Sequence, residues 1–248
     1  MYAENIYIFL YGVNNNYGDY MKKINVYSYK SDIVSDNDNY KTIFFDSLND
    51  KESIKDSIKK ELMYFFNIMN ISKKDHIFII GLGNDNHTAD SIGPKTLKYI
   101  KVNSYLKNLG INISDTKVSA LEPGVLGETG IITEKIISSV SNEIKPDLII
   151  LIDSFVSDNI NDLNKTIIIN NIGIKSGCGI KGINTTIDKN LLGIPIIAIG
   201  VITCIEVKFS TNNKNFIPYI LSTKDIDEYV INISEIIGNS INEVISYL

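Results

Sequence analysis

The sequence predicts an α/β fold: a three-layer, mostly parallel sheet with helices on both faces. Three observations predict it. From Asp75 onward, short apolar runs alternate with amphipathic stretches of helix length, the pattern of right-handed strand–helix–strand crossovers. The runs Ile77-Phe78-Ile79-Ile80 and Leu148-Ile149-Ile150-Leu151-Ile152 are apolar at every position, so both faces of those strands must be covered. Each run ends at a Gly or a polar residue, where a turn belongs. A chain of 248 residues suffices for one sizeable domain of this kind. The expected organisation is a single α/β domain over residues 1–248, in which strands and a helix of residues 1–73 pack on a core of residues 74–248.

The elements follow in order. Residues 6–11, 24–29 and 42–45 are apolar or alternating and predict short strands, with the Asn- and Asp-rich residues 31–39 as an exposed loop. Ile54, Ile58, Leu62, Phe65 and Met69 recur at three- and four-residue steps and predict an amphipathic helix. Residues 77–80 predict a strand. A helix is expected over 91–106, with Pro94 tolerated in its first turn, where a missing N–H costs no intrahelical bond. Residues 118–121 predict a strand ending at Pro123-Gly124, and residues 133–144 a helix stopped by Pro146. Further strands are expected at 148–152, 166–169 and 194–201. Ser222-Thr223-Lys224-Asp225 has the spacing of a capping box, and Ile226, Val230, Ile233, Ile237, Ile241 and Val244 give the helix after it a buried face.

Composition narrows the function. The chain is 44% hydrophobic and 21% charged, an ordinary globular balance. A net charge of -5, with lysines scattered rather than striped, argues against direct nucleic-acid binding. No apolar run approaches the roughly 18 residues of a membrane span, and Met1-Tyr2-Ala3-Glu4-Asn5 lacks the basic start of a signal peptide. A cytoplasmic protein with no membrane partner is expected. Cys178 and Cys204 make neither a disulfide framework nor a metal pattern.

Asp90 and Asp153 carry the chemistry in the sequence. In an open parallel sheet, ligands bind beyond the carboxyl ends of the strands. Asp153 directly follows one apolar run, and Asp90 follows another after Gly81-Leu82-Gly83-Asn84. Each aspartate has a plain structural role available. Asp90 suits the N-cap of the helix from Ser91, and Asp153 suits a strand-end turn bonded to its own backbone. Together they suggest more. Two carboxylates at one edge cannot both ionise cheaply, so the pair can hold one proton and activate water.

The surrounding motifs carry the same kinds of reading. Gly81-Leu82-Gly83 resembles the start of a dinucleotide fingerprint, but the third glycine position is Asn86, so no cofactor is expected. The glycines instead let the backbone turn sharply and bring Asn84 and Asp90 to the sheet edge. Asp85, His87 and Glu122 are candidate extra metal ligands, yet no His or Cys spacing supports a metal site. A Cys178–His87 pair is the sort that two cysteines and two histidines supply by chance. Two Gly-rich loops, 122–130 and 173–182, frame the edge. Plain turn chemistry accounts for them, and so does close backbone approach to an extended substrate. Asn84, Glu122, Gly124, Gly127, Thr129, Gly177 and Gly179 are the candidate substrate-binding residues.

Six segments in order resemble the spore germination protease family. They are Gly81-Leu82-Gly83-Asn84 with Thr88-Ala89-Asp90-Ser91-Ile92-Gly93-Pro94; Pro123-Gly124-Val125-Leu126-Gly127-Glu128-Thr129-Gly130-Ile131; Lys145-Pro146-Asp147-Leu148 with Ile152-Asp153-Ser154; Leu163-Asn164-Lys165-Thr166-Ile167 with Gly173-Ile174; Leu192-Gly193-Ile194-Pro195 through Gly200-Val201; and Ser222-Thr223-Lys224-Asp225-Ile226-Asp227. The resemblance implies an endopeptidase of atypical aspartic type that degrades small acid-soluble spore proteins in the spore core, with Asp90 and Asp153 as its aspartates. It also implies a fold similar to that of hydrogenase-maturation proteases, a zymogen stage and a homo-oligomer, typically a tetramer. Two alternatives stand beside it. One is a non-catalytic sporulation paralogue that binds a partner, suggested by altered loops and missing acidic N-terminal segments. The other is a metal-sensing protease of the hydrogenase-maturation type, suggested by His87 near Asp90.

Overall fold

The computed structural model describes residues 5–6, 24–25, 37–111, 116–175, 186–210 and 216–248. Its framework is a seven-stranded mixed sheet. In chain order the elements are β1 (Asn5–Ile6), β2 (Ile24–Asn25), β3 (Tyr40–Phe44), α1 (Lys51–Ile68), β4 (His76–Gly81), α2 (Ile92–Leu97), α3 (Ser104–Asn108) and β5 (Lys117–Leu121). There follow α4 (Leu126–Thr129), α5 (Thr133–Ile144), β6 (Leu148–Ser157), β7 (Thr166–Asn170), β8 (Ile174–Lys175), β9 (Thr186–Ile187), α6 (Lys189–Leu192), β10 (Ile196–Ser210), β11 (Phe216–Leu221) and α7 (Ile226–Ser246). The sheet order is β3-β7-β10-β6-β4-β5, with β11 also on β10. Strands β10, β6, β4 and β5 are mutually parallel, while β7 and β11 run antiparallel to β10. The pairs β1·β2 and β8·β9 form separate two-stranded ladders.

Side-chain alternation along each strand divides the core into two layers. Ile77, Ile79, Leu148, Ile150, Ile152, Ile197 and Ile199 pack with α1, α2 and α7. Phe78, Ile80, Ile149, Leu151, Ile196 and Ala198 pack with Ile137 of α5, with Leu192 of α6 and with Ile174 and Ile187 of the β8·β9 ladder. Helices thus cover both faces, as the unbroken apolar runs require. Residues 148–152 have no measurable exposure. Burying each such Ile or Leu contributes roughly 1.5–3 kcal/mol. The N-terminal half joins this core through β3, which pairs with β7, and through α1, whose Ile54, Ile58, Leu62 and Phe65 share the α7 layer. Lys55 and Lys59 both reach Glu243 across that helix pair.

Several expectations need correction. The helix expected over 91–106 is two short helices. Beyond Leu97 the chain is tied elsewhere: Lys101 N–H donates to Asn242 Oδ1, and Asn103 bonds Val118 N–H and the Thr116 carbonyl. The capping box before α7 does not form. The Ser222 hydroxyl donates to the Thr203 carbonyl, Thr223 accepts from Asn164, and Asp225 makes no side-chain cap bond. The strand expected at 148–152 runs on to Ser157, and the one at 194–201 begins at Ile196 and reaches Ser210. The alternating Ile205-Glu206-Val207-Lys208-Phe209 carries that extension. Strand β11 was not anticipated because Pro218 weakens the strand signal; among the described residues β11 pairs only with β10, and an edge strand is where proline is tolerated. Of the N-terminal strands expected at 6–11 and 24–29, all but Ile6, Ile24 and Asn25 lies outside the described residues.

One close contact seats α2 on the sheet. A Cβ on Gly93 would stand 2.2 Å from the Leu82 carbonyl oxygen and 2.6 Å from that of Ile152. Gly93→Ala is therefore expected to destabilise the fold by about 1–3 kcal/mol, the usual range for overpacking. Gly127→Ala, with nothing within 4 Å of the added carbon, leaves stability unchanged. Urea midpoints of the two variants check this, and equal midpoints would contradict it.

Candidate active site

The carboxyl ends of β4, β6 and β10 meet at one edge, and the loop after β4 is folded onto it. Gly83 has φ +110, a conformation open to glycine, and a Cβ there would lie 1.9 Å from the Asp90 carbonyl oxygen. The loop closes on itself. Asn84 N–H donates to the Asp90 carbonyl (2.9 Å), His87 N–H to that of Asn84 (3.0 Å) and Asp90 N–H to that of His87 (2.7 Å). Asp90 ends a 3₁₀ turn over Thr88–Asp90. Strands β10 and β6 fasten that turn: the Thr203 hydroxyl donates to the Ala89 carbonyl (2.6 Å), and Ile92 N–H donates to Ser154 Oγ (3.4 Å). Thr203 stands at a register shift of β10 between Ile202 and Cys204. Bulges often re-aim a side chain beside a site. Asp90 is not the cap expected for α2; Ser91 holds that position, and its hydroxyl goes to the Thr88 carbonyl.

Asp153 lies inside β6, opposite Gly200 of β10, rather than in a turn after the strand. Pairing with β4 stops one residue earlier, at Gly81 opposite Ile152. The expected bond to its own backbone does form: Asp153 Oδ1 accepts from Ser154 N–H at 2.8 Å. The residue is half-buried. Burial pushes this carboxyl up to about 8, the negative charge of Asp90 adds to the rise, and the Ser154 N–H opposes it. Asp90 is raised as well, first by burial, with Glu128 adding to it and the Asn84 backbone and His87 opposing. Asp153 thus holds its proton at neutral pH, and Asp90 gives up its proton first. An acid and a carboxylate near enough to shift one another's titration can donate and accept protons in the same reaction.

The flanking candidates are partly brought together. Asn84 is buried, and its Oδ1 accepts from Asn86 N–H (2.8 Å), so that oxygen serves the loop. Asn86 in turn donates to Glu128 of α4 (2.8 Å), joining the two loops that flank Asp90. Gly124 has φ +69, and its carbonyl accepts from the Thr133 hydroxyl. The Thr129 hydroxyl is engaged with Val125 and Ile131. Glu122 and Gly127 are exposed. Gly177 and Gly179 lie outside the described residues, as does Cys178 of the possible Cys178–His87 pair. Asp85 is held below the usual carboxylate range by Lys95, at 2.6 Å, and Lys98. Among the described residues no three His, Cys, Asp or Glu side chains converge as a metal site would require. Sequence reasoning did not single out Glu128, Asn86, Ser154, Thr203 or Cys204. Cys204 is buried, and its thiol is pushed up by that burial and by the nearby Asp90. Strand register brings Thr203, Cys204 and Ser154 toward Asp90, and the Asn86–Glu128 bond brings Glu128 there, so no local sequence signal marks them.

A family model described as germination protease matches residues 30–225. The chain belongs to the germination protease family. The germination protease of Clostridium tetani is 32% identical, the match covering 82% of this chain and 77% of that protein. The germination protease of Oceanobacillus iheyensis is 35% identical over 73% of this chain and 51% of its own length. That of Caldanaerobacter subterraneus is 41% identical over 55% of this chain. The matches to the latter two span about half or less of those relatives, 51% and 43%. The matched region contains Asp90, Asp153 and the strands that carry them. No helix among the described residues is long and apolar enough to cross a membrane.

The raised Asp153 has a consequence for stability. Between the ordinary aspartate value and about 8, the unfolded chain loses this proton while the native chain keeps it. Native stability therefore falls as pH rises through that window, and Asp153→Asn removes this contribution. The Tm of the wild-type chain is expected to drop more than that of Asp153→Asn between acidic and mildly alkaline pH. Parallel Tm profiles by circular dichroism would contradict the assignment.

Proposed function

We propose that this germination protease family member is an endopeptidase of aspartic type, with Asp90 as base and Asp153 as acid. The observation that carries the reading is the placing of both aspartates at one end of the sheet, Asp153 in β6 opposite Gly200 and Asp90 on the turn fastened to β10 and β6, where the charge of Asp90 raises Asp153. Asp90 takes a proton from water as the water oxygen bonds to the peptide carbonyl carbon. Asp153 gives its proton to the carbonyl oxygen. As the C–N bond breaks, the leaving nitrogen takes a proton from Asp90, and the new carboxyl group returns one to Asp153. Both groups end as they began.

The substrates proposed are small acid-soluble spore proteins, digested in the spore core during germination by a homo-oligomer. The family membership and the acidic, non-nucleic-acid-binding composition support that setting. A second reading is a non-catalytic paralogue that binds such proteins without cutting them.

Incubation of the purified chain with a small acid-soluble spore protein separates these readings. Cleavage is expected, with Asp90→Asn and Asp153→Asn each lowering kcat by roughly 100-fold or more, the usual size of a general acid–base contribution. The rate is expected to fall as pH rises through about 8, where Asp153 deprotonates. It also falls on the acid side, beginning above the ordinary aspartate value, as Asp90 becomes protonated. Undiminished cleavage by either variant contradicts the dyad, and binding without cleavage by the wild-type chain supports the paralogue.

A further inference from the structure

Strand β6 outlasts one of its neighbours. Its ladder with β4 ends at Gly81 opposite Ile152, closed by Leu82 N–H donating to the Ile152 carbonyl (2.8 Å). Its ladder with β10 continues to Ile205 opposite Ser157. Beyond Leu82 the positive φ of Gly83 turns the chain off the line of β4. Among the described residues, no other strand pairs with β6 on that side.

A strand between two parallel neighbours addresses them with alternate residues. Ile149 N–H bonds the Pro195 carbonyl on the β10 side, and the Ile152 carbonyl is used on the β4 side. Odd residues of β6 therefore face β10, and even residues face the side that β4 vacates. The main-chain groups of Ser154 and Val156 lie on the vacated side. Ser154 N–H is taken by Asp153 Oδ1, so the Asp153 carboxyl leans onto this same edge. Val156, further along, is 49% exposed. An unpaired strand edge is a template for another extended chain.

We propose that the substrate adds to β6 as an extended strand along residues 154–157, continuing the line of β4, with its scissile peptide at the Asp153 end. This deepens the peptidase reading above and rests on it. The occupant is a polypeptide segment recognised through its backbone, with exposed Val156 offering apolar contact to one side chain. A second copy of the chain fits less well, because pairing along this edge would cover the two carboxyls. The substrate class is accordingly a protein whose cleavage segment can be extended. Specificity along this edge comes from side chains of alternate parity, the set that a strand turns to one face.

The test separates binding from cleavage by using Asp90→Asn. A fluorescent peptide from a small acid-soluble spore protein is titrated with this variant and read by anisotropy. Its backbone amides are N-methylated one at a time. Loss of affinity by about ten-fold is expected at alternate positions, with tolerance between them, as when single edge hydrogen bonds are removed. Val156→Pro, placed in the Asp90→Asn background, removes a donor on the vacated side and weakens binding by a similar factor. Val156→Ile keeps both the donor and the apolar contact, and with them the affinity. Uniform tolerance of N-methylation, absence of peptide binding, or unchanged affinity of a folded Val156→Pro overturns the docking edge. A dimer that the peptide does not displace overturns it too. A period-two pattern together with no cleavage by the wild-type chain leaves the edge standing and overturns the peptidase reading alone.

Discussion

The carboxyl of half-buried Asp153, set at the point where β6 runs past β4, is the constraint on which the proposed site depends. A charge there is costly because the group is removed from water, and a second carboxyl nearby makes it costlier. The fold meets that cost by keeping Asp153 protonated and leaving the negative charge on Asp90. A pair arranged in this way is asymmetric before any substrate arrives.

Backbone proximity holds the asymmetry in place. Asp90 is delivered by a loop that only glycine at position 83 permits, since both its φ and its clearance from the Asp90 carbonyl exclude a side chain. Gly93 and Gly81 bring the start of α2 against the end of β4 in the same way; a Cβ on Gly81 would lie 2.5 Å from the Gly93 carbonyl carbon. Thr203 and Ser154, on neighbouring strands, then fasten the turn and the helix start. The pair is thus positioned by sheet register rather than by direct bonds between the two carboxyls.

Much of the fold was legible because burial on both faces leaves a plain mark. Ile77-Phe78-Ile79-Ile80 and residues 148–152 can be little else than central strands. The mark fades where a strand leaves the covered centre. Asp153 interrupts the apolar run, so the last half of β6 reads as a turn, although β10 continues beside it. The two aspartates were legible through their place after such runs. Glu128, Thr203 and Cys204 were not, since their nearness to Asp90 depends on the pairing of β10 with β6 and on the Asn86–Glu128 bond between loops. The broken helix at 91–106 shows the same limit: Asn103 looks like an ordinary helical residue until β5 lies beside it.

Family membership sets the reaction class. The central claim is that Asp153 carries a proton at neutral pH because burial disfavours its charge and the nearby charge of Asp90 adds to that. Site-specific carboxyl carbon NMR titration of Asp153 tests this most directly. The expected result is a midpoint near 8 in the wild-type chain that moves downward in Asp90→Asn. A midpoint at the ordinary aspartate value, or one that Asp90→Asn leaves in place, would contradict the account.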